Sequence, residues 1–583
     1  MSMRWVIPIF FFLMHFSQAP AFADVTVPSL FSDHAVLQRG MAIPVWGTSS
    51  GNEQVTVDFA GQTKTTTASA DGFWMVYLDP LPASTTPGNM VITGNNEITL
   101  TGIQVGEVWL GSGQSNMSRG LSWDCDMEAA IADAPNHNMR YFDVTSNGGN
   151  VESTVWEIAD PALLPSFSAV HFFFGHYLSQ EMPDVPIGLI TSAVSGTAIE
   201  KWAACAGSGS LYTGQVKPLQ PYAIKGATWY QGEWDSRSAR DSEKYYWQMP
   251  CLIDEWRTDW EIPDFPFYIV QMPKMGISKI MIVRDAELQT ALDDPKVEMS
   301  VHIDNPGQDV HPPCKKEFGR RLAMLALEHE YGQVINSRSP FHNEAASYVS
   351  GDTIYVVFDN VAAGLQSSGG SLAEWEIADS SGSYVAADAV IVGPDTVAVS
   401  SPSVSNPVSA RYAYSPNPVG VNLENSAGLG ASPIREVTPG SGGPVCGDFN
   451  CDSGEDQCNC PDDCGTPPAA EMFCSNNVDE DCDGVTDCDD TDCIGDPACP
   501  GCNDAICGLG EDQCNCSADC GLPPAIETNC SDGIDEDCDN ETDCDDINCD
   551  GDPACPTCGQ TGDPCTSKAD CCGSCNKKTG QCR

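Results

Sequence analysis

Basic side chains are scarce in this chain of 583 residues, because 27 Lys and Arg stand against 82 Asp and Glu, a formal net charge of -55 at pH 7. Phosphate backbones and anionic membrane surfaces repel so acidic a chain, which argues against nucleic-acid or membrane-surface binding. Cations and neutral substrates remain open as partners. Hydrophobic residues make up 41% of the sequence, enough for at least one sizeable core.

Long apolar runs are also lacking. The run from Trp5 to Phe16 covers about 12 residues, whereas a membrane-spanning helix needs about 20. It follows Arg4, and an Ala-Phe-Ala cleavage pattern stands directly before Asp24. We therefore expect a signal peptide at residues 1–23 and an exported protein without a membrane span. A single N-terminal membrane anchor is the alternative.

Cysteine is rare over most of the chain and dense at its end. Four cysteines precede residue 440, and the other 26 lie between Cys446 and Cys582. Residues 441–557 also hold 32 Asp or Glu and no Lys or Arg. A different kind of domain therefore begins near residue 440. Disulfides persist in exported proteins, so we expect this tail to be a disulfide framework.

The spacing of apolar residues divides the remainder. Residues 24–103 carry short alternating runs broken by Gly, Asn and Pro, a pattern that predicts a β-sandwich. Residues 104–337 alternate continuous apolar runs, such as VGEVWLGSG and PIGLITSAV, with helical patterns, which predicts an α/β domain around a parallel sheet. Short strands return over residues 338–435, and residues 436–445 form a Pro/Gly/Ser linker.

Polar motifs interrupt the α/β segment just after strand-like runs, where the chemistry of such sheets is located. They are GQSN from Gly113, SGT from Ser195, WYQGEWD from Trp229 and DVHP from Asp309. A serine on a glycine turn between strand and helix lies near backbone N–H groups that can receive an oxyanion. Its hydroxyl needs a base. The candidate nucleophile is Ser115, since it occupies such a turn.

Taken in order, the segments GEVWLGSGQSNM, VPIGLITSAVSGT, PYAIKGATWYQGEWD and DVHPPCKKEFGRRLA resemble the blocks of the SGNH hydrolases, specifically the sialate O-acetylesterase family and related acetyl xylan esterases. The resemblance covers about residues 24–436. It implies an SGNH-type three-layer α/β/α catalytic domain at 104–337, flanked by N- and C-terminal β-sandwich-like domains. It also implies a carboxylic ester hydrolase that needs no cofactor for catalysis.

The resemblance implies roles for particular residues. Ser115 attacks the ester, and His311 takes its proton and later donates it to the leaving sugar alcohol. Oxyanion donors are the Ser115 and Gly196 backbones and the Gln231 side-chain amide. For Gln231 the alternative is a strand-end amide that satisfies backbone groups.

Two residues are candidates for the acid that orients His311. Asp309 is favoured because it is close in sequence. The resemblance offers Glu233, since the related acetyl xylan esterases use the acid at that position. Asn116, Trp234 and Arg284 are candidate substrate-binding residues. The guanidinium of Arg284, like that of Arg119, could pair with a sialic-acid carboxylate, and a surface salt bridge is the alternative for both.

The tail contains two copies of a ten-cysteine unit at a period of 56 residues, 446–501 and 502–557. A knottin-like six-cysteine segment follows at 558–583. Acidic residues in both copies follow the spacing of a calcium loop, and the alternative is a solvated acidic loop held by disulfides. The candidate calcium ligands are Asp479, Asp481, Asp483, Asp487, Asp490, Asp535, Asp537, Asp539, Asp543 and Asp546.

The sequence thus predicts a secreted or cell-surface esterase that hydrolyses O-acetyl esters of sialic acids or related glycans, with calcium held by its tail. One alternative keeps the chemistry but acts on acetyl xylan or another polysaccharide. A second alternative is a calcium-dependent carbohydrate-binding or adhesion protein without catalysis. The expected partner is an O-acetylated carbohydrate, and the tail is a candidate for attachment to a cell surface or glycan.

Overall fold

The computed structural model describes residues 24–145, 148–307 and 309–438, and two short strands near the C-terminus. The chain divides into two compact units at residue 440. The first strands of the first unit are β1 (Val36–Gln38), β2 (Ile43–Thr48), β3 (Gln54–Phe59), β4 (Gln62–Thr67), β5 (Phe73–Leu78), β6 (Ser84–Thr93) and β7 (Glu97–Gly113).

The N-terminal strands form mainly antiparallel β structure, with β1 added to β7 in parallel. Strand β3 pairs with β4 and β6, β6 pairs with β7, and β2 pairs with β5. Every second residue of β3 is buried, as alternation predicts. Strand β7 is 17 residues long and pairs with β6 near its start and with the central sheet at its end. The expected boundary between residues 103 and 104 therefore falls inside one continuous strand.

The central domain alternates strands and helices. Its elements after β7 are α1 (Ser115–Ser118), α2 (Met127–Asp133), β8 (Met139–Asp143), β9 (Glu157–Ile158), α3 (Ala169–Glu181), β10 (Ile187–Ala193), β11 (Gly226–Tyr230), α4 (Ala239–Trp260), β12 (Phe267–Val270), α5 (Ile280–Asp293), β13 (Val297–Ser300) and α6 (Lys316–His329). The sheet order is β13-β12-β11-β7-β10-β8-β9, and all neighbours are parallel except β8 and β9.

Helices cover both faces of this sheet. Trp229 and Tyr230 are consecutive residues of β11, so their side chains point to opposite faces. Trp229 packs against Trp256 of α4, with ring centroids 5.9 Å apart. Tyr230 stacks on Phe318 of α6 at 5.6 Å. Because both faces are covered, β10 to β13 are buried at every position. The predicted three-layer α/β/α fold is confirmed.

The C-terminal region of the first unit is again β structure. Its strands are β14 (Phe341–Ser350), β15 (Thr353–Asp359), β16 (Leu365–Ser367), β17 (Trp375–Ala378), β18 (Val385–Ala386), β19 (Asp388–Ile391), β20 (Thr396–Ser400), β21 (Ser409–Tyr412), β22 (Leu423–Asn425) and β23 (Ile434–Val437). They form two four-stranded sheets, β14-β15-β20-β19 and β18-β17-β21-β23, and a β16-β22 pair. Phe358 and Trp375 contact each other between the two larger sheets.

The second unit comprises residues 441–583. In it the structure describes one antiparallel pair, β24 (Cys575–Asn576) with β25 (Gln581–Cys582). The expected repeats and calcium loops lie outside the described residues, as does the expected signal peptide. Within the described ranges, the helices are too short or too polar to cross a membrane.

Candidate active site

Ser115 lies at the turn between β7 and α1. Gly113 ends β7 with a φ of 135°, and a Cβ there would lie 2.2 Å from the carbonyl oxygen of Tyr230. Glycine is therefore required for β7 to approach the end of β11 so closely. Ser115 is the first residue of α1, so its N–H has no acceptor within the helix. The Ser115 hydroxyl and N–H group are thus presented together at the carboxyl edge of the sheet.

His311 lies beside this serine, although 196 residues separate the two in the sequence. Its Nε2 is 2.9 Å from Ser115 Oγ, a hydrogen-bond distance. The loop after β13 carries His311, and the disulfide Cys125–Cys314 joins this loop to the segment after α1. The Cys125 N–H also donates to the carbonyl oxygen of Pro313 at 3.1 Å. The fold thus brings together a hydroxyl and an imidazole that can act as nucleophile and base.

The other ring nitrogen of His311 faces Arg119. Its Nδ1 lies 3.1 Å from Arg119 Nη2. A guanidinium only donates hydrogen bonds, so Nδ1 is the acceptor and the neutral ring carries its proton on Nε2. Burial lowers the pKa of His311, and the charges of Arg119 and Lys315 lower it further, whereas Asp309 acts in the opposite direction. The ring is therefore neutral at physiological pH.

The two candidate acids have different surroundings. Asp309 is exposed and lines the same cleft as His311. Glu233 is buried, and its Oε1 accepts a hydrogen bond from Asn116 Nδ2. Burial raises the pKa of Glu233 above its ordinary value. In the part of the chain that the structure describes, no hydrogen bond joins either carboxylate to His311.

Asn116, a candidate substrate contact, is part of a buried network. Its side chain is fully buried, and its amide donates to Glu233 and to the carbonyl oxygen of Val310 at 2.8 Å. Its Oδ1 accepts from Lys315 Nζ at 2.6 Å. Both ends of the amide are thus engaged. Asn116 holds the backbone next to His311 in place.

Lys315 is a buried cation that the sequence analysis did not single out. Its ammonium lies over the rings of Tyr230 and Phe318, 4.9 Å from each centroid. Its backbone N–H donates to Asp124 at 2.6 Å. Burial lowers the pKa of Lys315 to about 7, while the charges of Glu233 and Asp124 oppose that shift. The only signal in the sequence is its place in the DVHPPCKK segment.

Gln231, a predicted oxyanion donor, is engaged by neighbouring protein groups. Its Nε2 donates to Asp235 at 2.6 Å and to the carbonyl oxygen of Thr197 at 2.9 Å, which uses both amide protons. The Tyr245 hydroxyl lies 2.8 Å from the main-chain carbonyl oxygen of Gln231 and 3.1 Å from its Oε1. The side chain is fully buried. The alternative interpretation, a strand-end amide, describes this residue.

Gly196 forms the turn after β10, with a φ of 70°. The neighbouring Ser195 Oγ lies 3.1 Å from Ser118 Oγ, which places this turn against α1. A Cβ at Gly196 would lie 3.6 Å from the Trp234 ring. Trp234 is 41% exposed and stacks with Arg237. The turn and an exposed aromatic face therefore lie side by side, as a sugar-binding surface requires.

Arg284, a candidate substrate contact, is buried among backbone carbonyl groups. Its side chain is 1% exposed, and its guanidinium donates to the carbonyl oxygens of Met272 and Pro273 and to those of Ser415 and Pro416. Burial lowers its pKa to about 9. The cation joins the end of β12 to a loop of the C-terminal β region.

A cleft of about 290 Å³ opens beside His311. Its lining includes Arg119, Trp123, Asp124, Asp309 and Lys315. Trp123 is 66% exposed, and the Arg119 guanidinium lies 4.4 Å from its ring centroid. Two basic side chains, two carboxylates and an exposed aromatic ring thus line the cleft beside the imidazole, a combination suited to a polar, ring-shaped ligand.

The α/β/α fold with this site at the carboxyl edge of its sheet defines a class of protein, the carboxylic ester hydrolases. Residues 105–328 match the carbohydrate esterase family described as sialic acid-specific acetylesterases. The chain is 26% identical to the sialate O-acetylesterase of Mus musculus over 399 residues, which is 52% of this chain and 73% of that protein. The human sialate O-acetylesterase is also 26% identical, over 373 residues. That match covers 52% of this chain and 71% of the human protein.

A solved structure extends the comparison. A carbohydrate acetylesterase from Xanthomonas citri is 33% identical in sequence and superposes with a TM-score of 0.66. The match covers 71% of this chain and 99% of that protein. The chain belongs to this family of carbohydrate acetylesterases, as the resemblance of its four motifs predicted.

Proposed function

We propose that this chain is an exported esterase that removes acetyl groups from O-acetylated sialic acids or closely related acidic glycans, through an acetyl-enzyme on Ser115. The observation that carries the proposal is the 2.9 Å hydrogen bond between Ser115 Oγ and His311 Nε2, beside a cleft whose lining includes Arg119. Export rests on the expected signal peptide.

The reaction proceeds in two halves. Ser115 Oγ attacks the acetyl carbonyl carbon while His311 Nε2 accepts its proton, and the N–H groups of Ser115 and Gly196 stabilise the oxyanion. His311 then donates the proton to the departing sugar oxygen. Water attacks the acetyl-enzyme by the same route in reverse, which releases acetate and restores Ser115.

Arg119 has to leave His311 before this reaction begins. A base must offer a lone pair on Nε2, so the ring proton has to lie on Nδ1, where the guanidinium of Arg119 now donates. An acceptor carboxylate then holds the Nδ1 proton. Asp309 is the proposed acid because it is exposed on the His311 loop, whereas Glu233 is held by Asn116.

The contact of Arg119 with His311 supports an acidic sugar over a neutral one. A carboxylate on the substrate gives Arg119 an anionic partner that accepts both of its terminal N–H groups, which draws it away from His311. A neutral acetylated xylan has no such group. The substrate itself would thus favour the active tautomer of the base.

Acetate release tests the chemistry. We expect Ser115→Ala to lose about 10³-fold or more of kcat on p-nitrophenyl acetate, with unchanged melting temperature. The matched control is Ser153→Ala, an exposed serine away from the cleft, which should retain activity. If wild type and Ser115→Ala release acetate equally slowly, the rival assignment as a non-catalytic carbohydrate-binding protein is favoured.

Two substrates and one variant test the substrate class. We expect wild type to prefer O-acetylated sialic acid over acetylated xylan, and Arg119→Gln to lose at least about tenfold in kcat/KM on the sialic acid only. Its activity on p-nitrophenyl acetate should persist, because that substrate carries no carboxylate. Equal losses on acidic and neutral glycans would instead favour the acetyl xylan alternative.

Calcium binding by the tail is a separate proposal, supported by the spacing of acids in the two repeats. With one loop in each repeat, the full chain should bind about two Ca²⁺ in equilibrium dialysis. Asp481→Asn should bind about one, and Asp79→Asn, a control outside the tail, should still bind two. Equal calcium content in wild type and Asp481→Asn contradicts the proposal.

A further inference from the structure

Three potential metal ligands converge at a place that the esterase reaction does not use. Asp133 ends α2, His137 lies four residues later, and His176 is on α3. Asp133 Oδ2 is 3.1 Å from His137 Nε2 and 3.7 Å from His176 Nε2. The three ligand atoms all lie within 4.8 Å of one another.

The tautomer of His137 directs a lone pair at this point. Ser179 Oγ donates its single proton to the carbonyl oxygen of His176 at 2.8 Å. The same oxygen lies 2.8 Å from His137 Nδ1 and, with this donation in place, accepts the Nδ1 proton. Nε2 of the neutral ring then carries a lone pair that faces the Asp133 carboxylate. Two electron-rich atoms lie together, an arrangement that a cation stabilises.

His176 adds a second imidazole to the same point. Its ring centroid is 4.4 Å from that of His137. Its Nε2 lies 3.7 Å from Asp133 Oδ2, and an imidazole nitrogen that offers a lone pair is the form that binds a metal ion.

We propose that Asp133, His137 and His176 form a Zn²⁺ site. Two imidazole nitrogens and one carboxylate oxygen are a ligand set that zinc favours, with a fourth position left for water. Zinc bonds of about 2.0–2.1 Å in a tetrahedron put ligand atoms roughly 3.3 Å apart, close to the separations observed here. The Asp133 side chain is 43% exposed, which leaves a path for the ion. The hydrogen bond from His137 to Ser179 is the outer contact that orients a metal-binding imidazole.

The site has a structural role. Helix α2 follows the Asp124 and Cys125 segment, and α3 begins at Ala169, which also lines the cleft. A bound ion would join the end of α2 to α3 and stabilise this wall of the cleft. The ion contacts neither Ser115 nor the ester, so zinc should raise stability without changing the chemical step.

The experiment uses the full chain without a histidine tag, stripped of metal and supplied with saturating Ca²⁺ to occupy the acidic tail. We expect one more tightly bound Zn²⁺ in wild type than in His176→Gln or Asp133→Asn, measured by elemental analysis after dialysis. Zinc should raise the melting temperature of wild type by about 5 °C and that of the variants by less than 1 °C. Substituted Co²⁺ should show the visible absorption of a tetrahedral ion in wild type only.

The control is His34→Asn, an exposed histidine outside the cluster, which should behave like wild type. Asp133→Asn changes a partly exposed side chain, so it tests the site even if His176→Gln fails to fold. Equal zinc content and equal thermal shifts in wild type and Asp133→Asn would overturn the proposal. The cluster would then be a proton-mediated pair between His137 and Asp133.

Discussion

At the scale of single residues, the main feature is Arg119, whose guanidinium determines which ring nitrogen of His311 carries the proton. Its guanidinium joins Trp123 at the mouth of the cleft to the imidazole behind it. Arg119 thus connects the mouth of the cleft to the His311 imidazole, the proposed base. Neither its position after α1 nor its charge predicted this contact, because 192 residues separate it from His311.

The pH profile tests this coupling. Arg119 lowers the pKa of His311, so the neutral, basic form persists to a lower pH than for an ordinary histidine. In Arg119→Gln the acid limb of kcat/KM on p-nitrophenyl acetate should move to higher pH. Arg411→Gln, a change in the C-terminal β region, serves as the control. If the acid limb does not move, the charge of Arg119 does not affect the pKa of His311.

The acid is tested by comparing two carboxamide variants. We expect Asp309→Asn to lose about 10² to 10⁴-fold in kcat with little change in stability, because the side chain is exposed. Glu233→Gln should act mainly on the melting temperature, since it alters a buried network with Asn116. Rate assays and thermal melts on both variants distinguish Asp309 from Glu233 as the acid that orients His311. The opposite pattern would assign Glu233 as the partner of His311.

At the scale of elements, the turn from β7 to α1 sets the position of the nucleophile. The continuous apolar run predicted the strand, and the Gly-Gln-Ser motif predicted a turn at its end. The structure adds the reason for the glycine, which is the backbone of Tyr230 on the neighbouring strand. The length of β7 was not predictable from alternation, since one strand pairs with β6 at one end and with β10 and β11 at the other.

Gly113→Ala tests this turn. The new Cβ would lie 2.2 Å from a backbone oxygen at a φ of 135°, so β7 and β11 would have to separate. We expect a loss of about 3 kcal/mol or more in unfolding free energy and a large loss of activity. Gly276→Ala, where no atom lies within 4 Å of the added Cβ, is the matched control. Similar urea melts for both variants would contradict the packing argument.

At the scale of the whole molecule, Arg284 joins the catalytic domain to the C-terminal β region. Its guanidinium donates to carbonyl oxygens on both sides of that boundary. The sequence suggested a substrate contact because an arginine near a sugar site is a plausible carboxylate ligand. In the structure the side chain is 1% exposed and donates to four carbonyl oxygens, which favours a structural role.

Arg284→Gln tests this junction. The shorter amide cannot reach four carbonyl oxygens, so buried acceptors lose their donors and the two regions unfold less cooperatively. We expect a loss of about 3–5 kcal/mol and an earlier, separate transition in calorimetry. Arg240→Gln on the exposed start of α4 should melt like wild type. A single, unshifted transition in Arg284→Gln would show that the C-terminal region is held by other contacts.

Sequence alone determined the α/β/α class, the strands β7 and β10 to β13, and the family, because continuous apolar runs and short motifs are local features of the chain. It also located the tail, since composition changes abruptly near residue 440. The contacts made by Arg119, Lys315, Gln231 and Arg284 were decided only by the tertiary structure. Hydrogen bonds and desolvation depend on which distant segments meet, so these residues' roles become visible only in the folded chain.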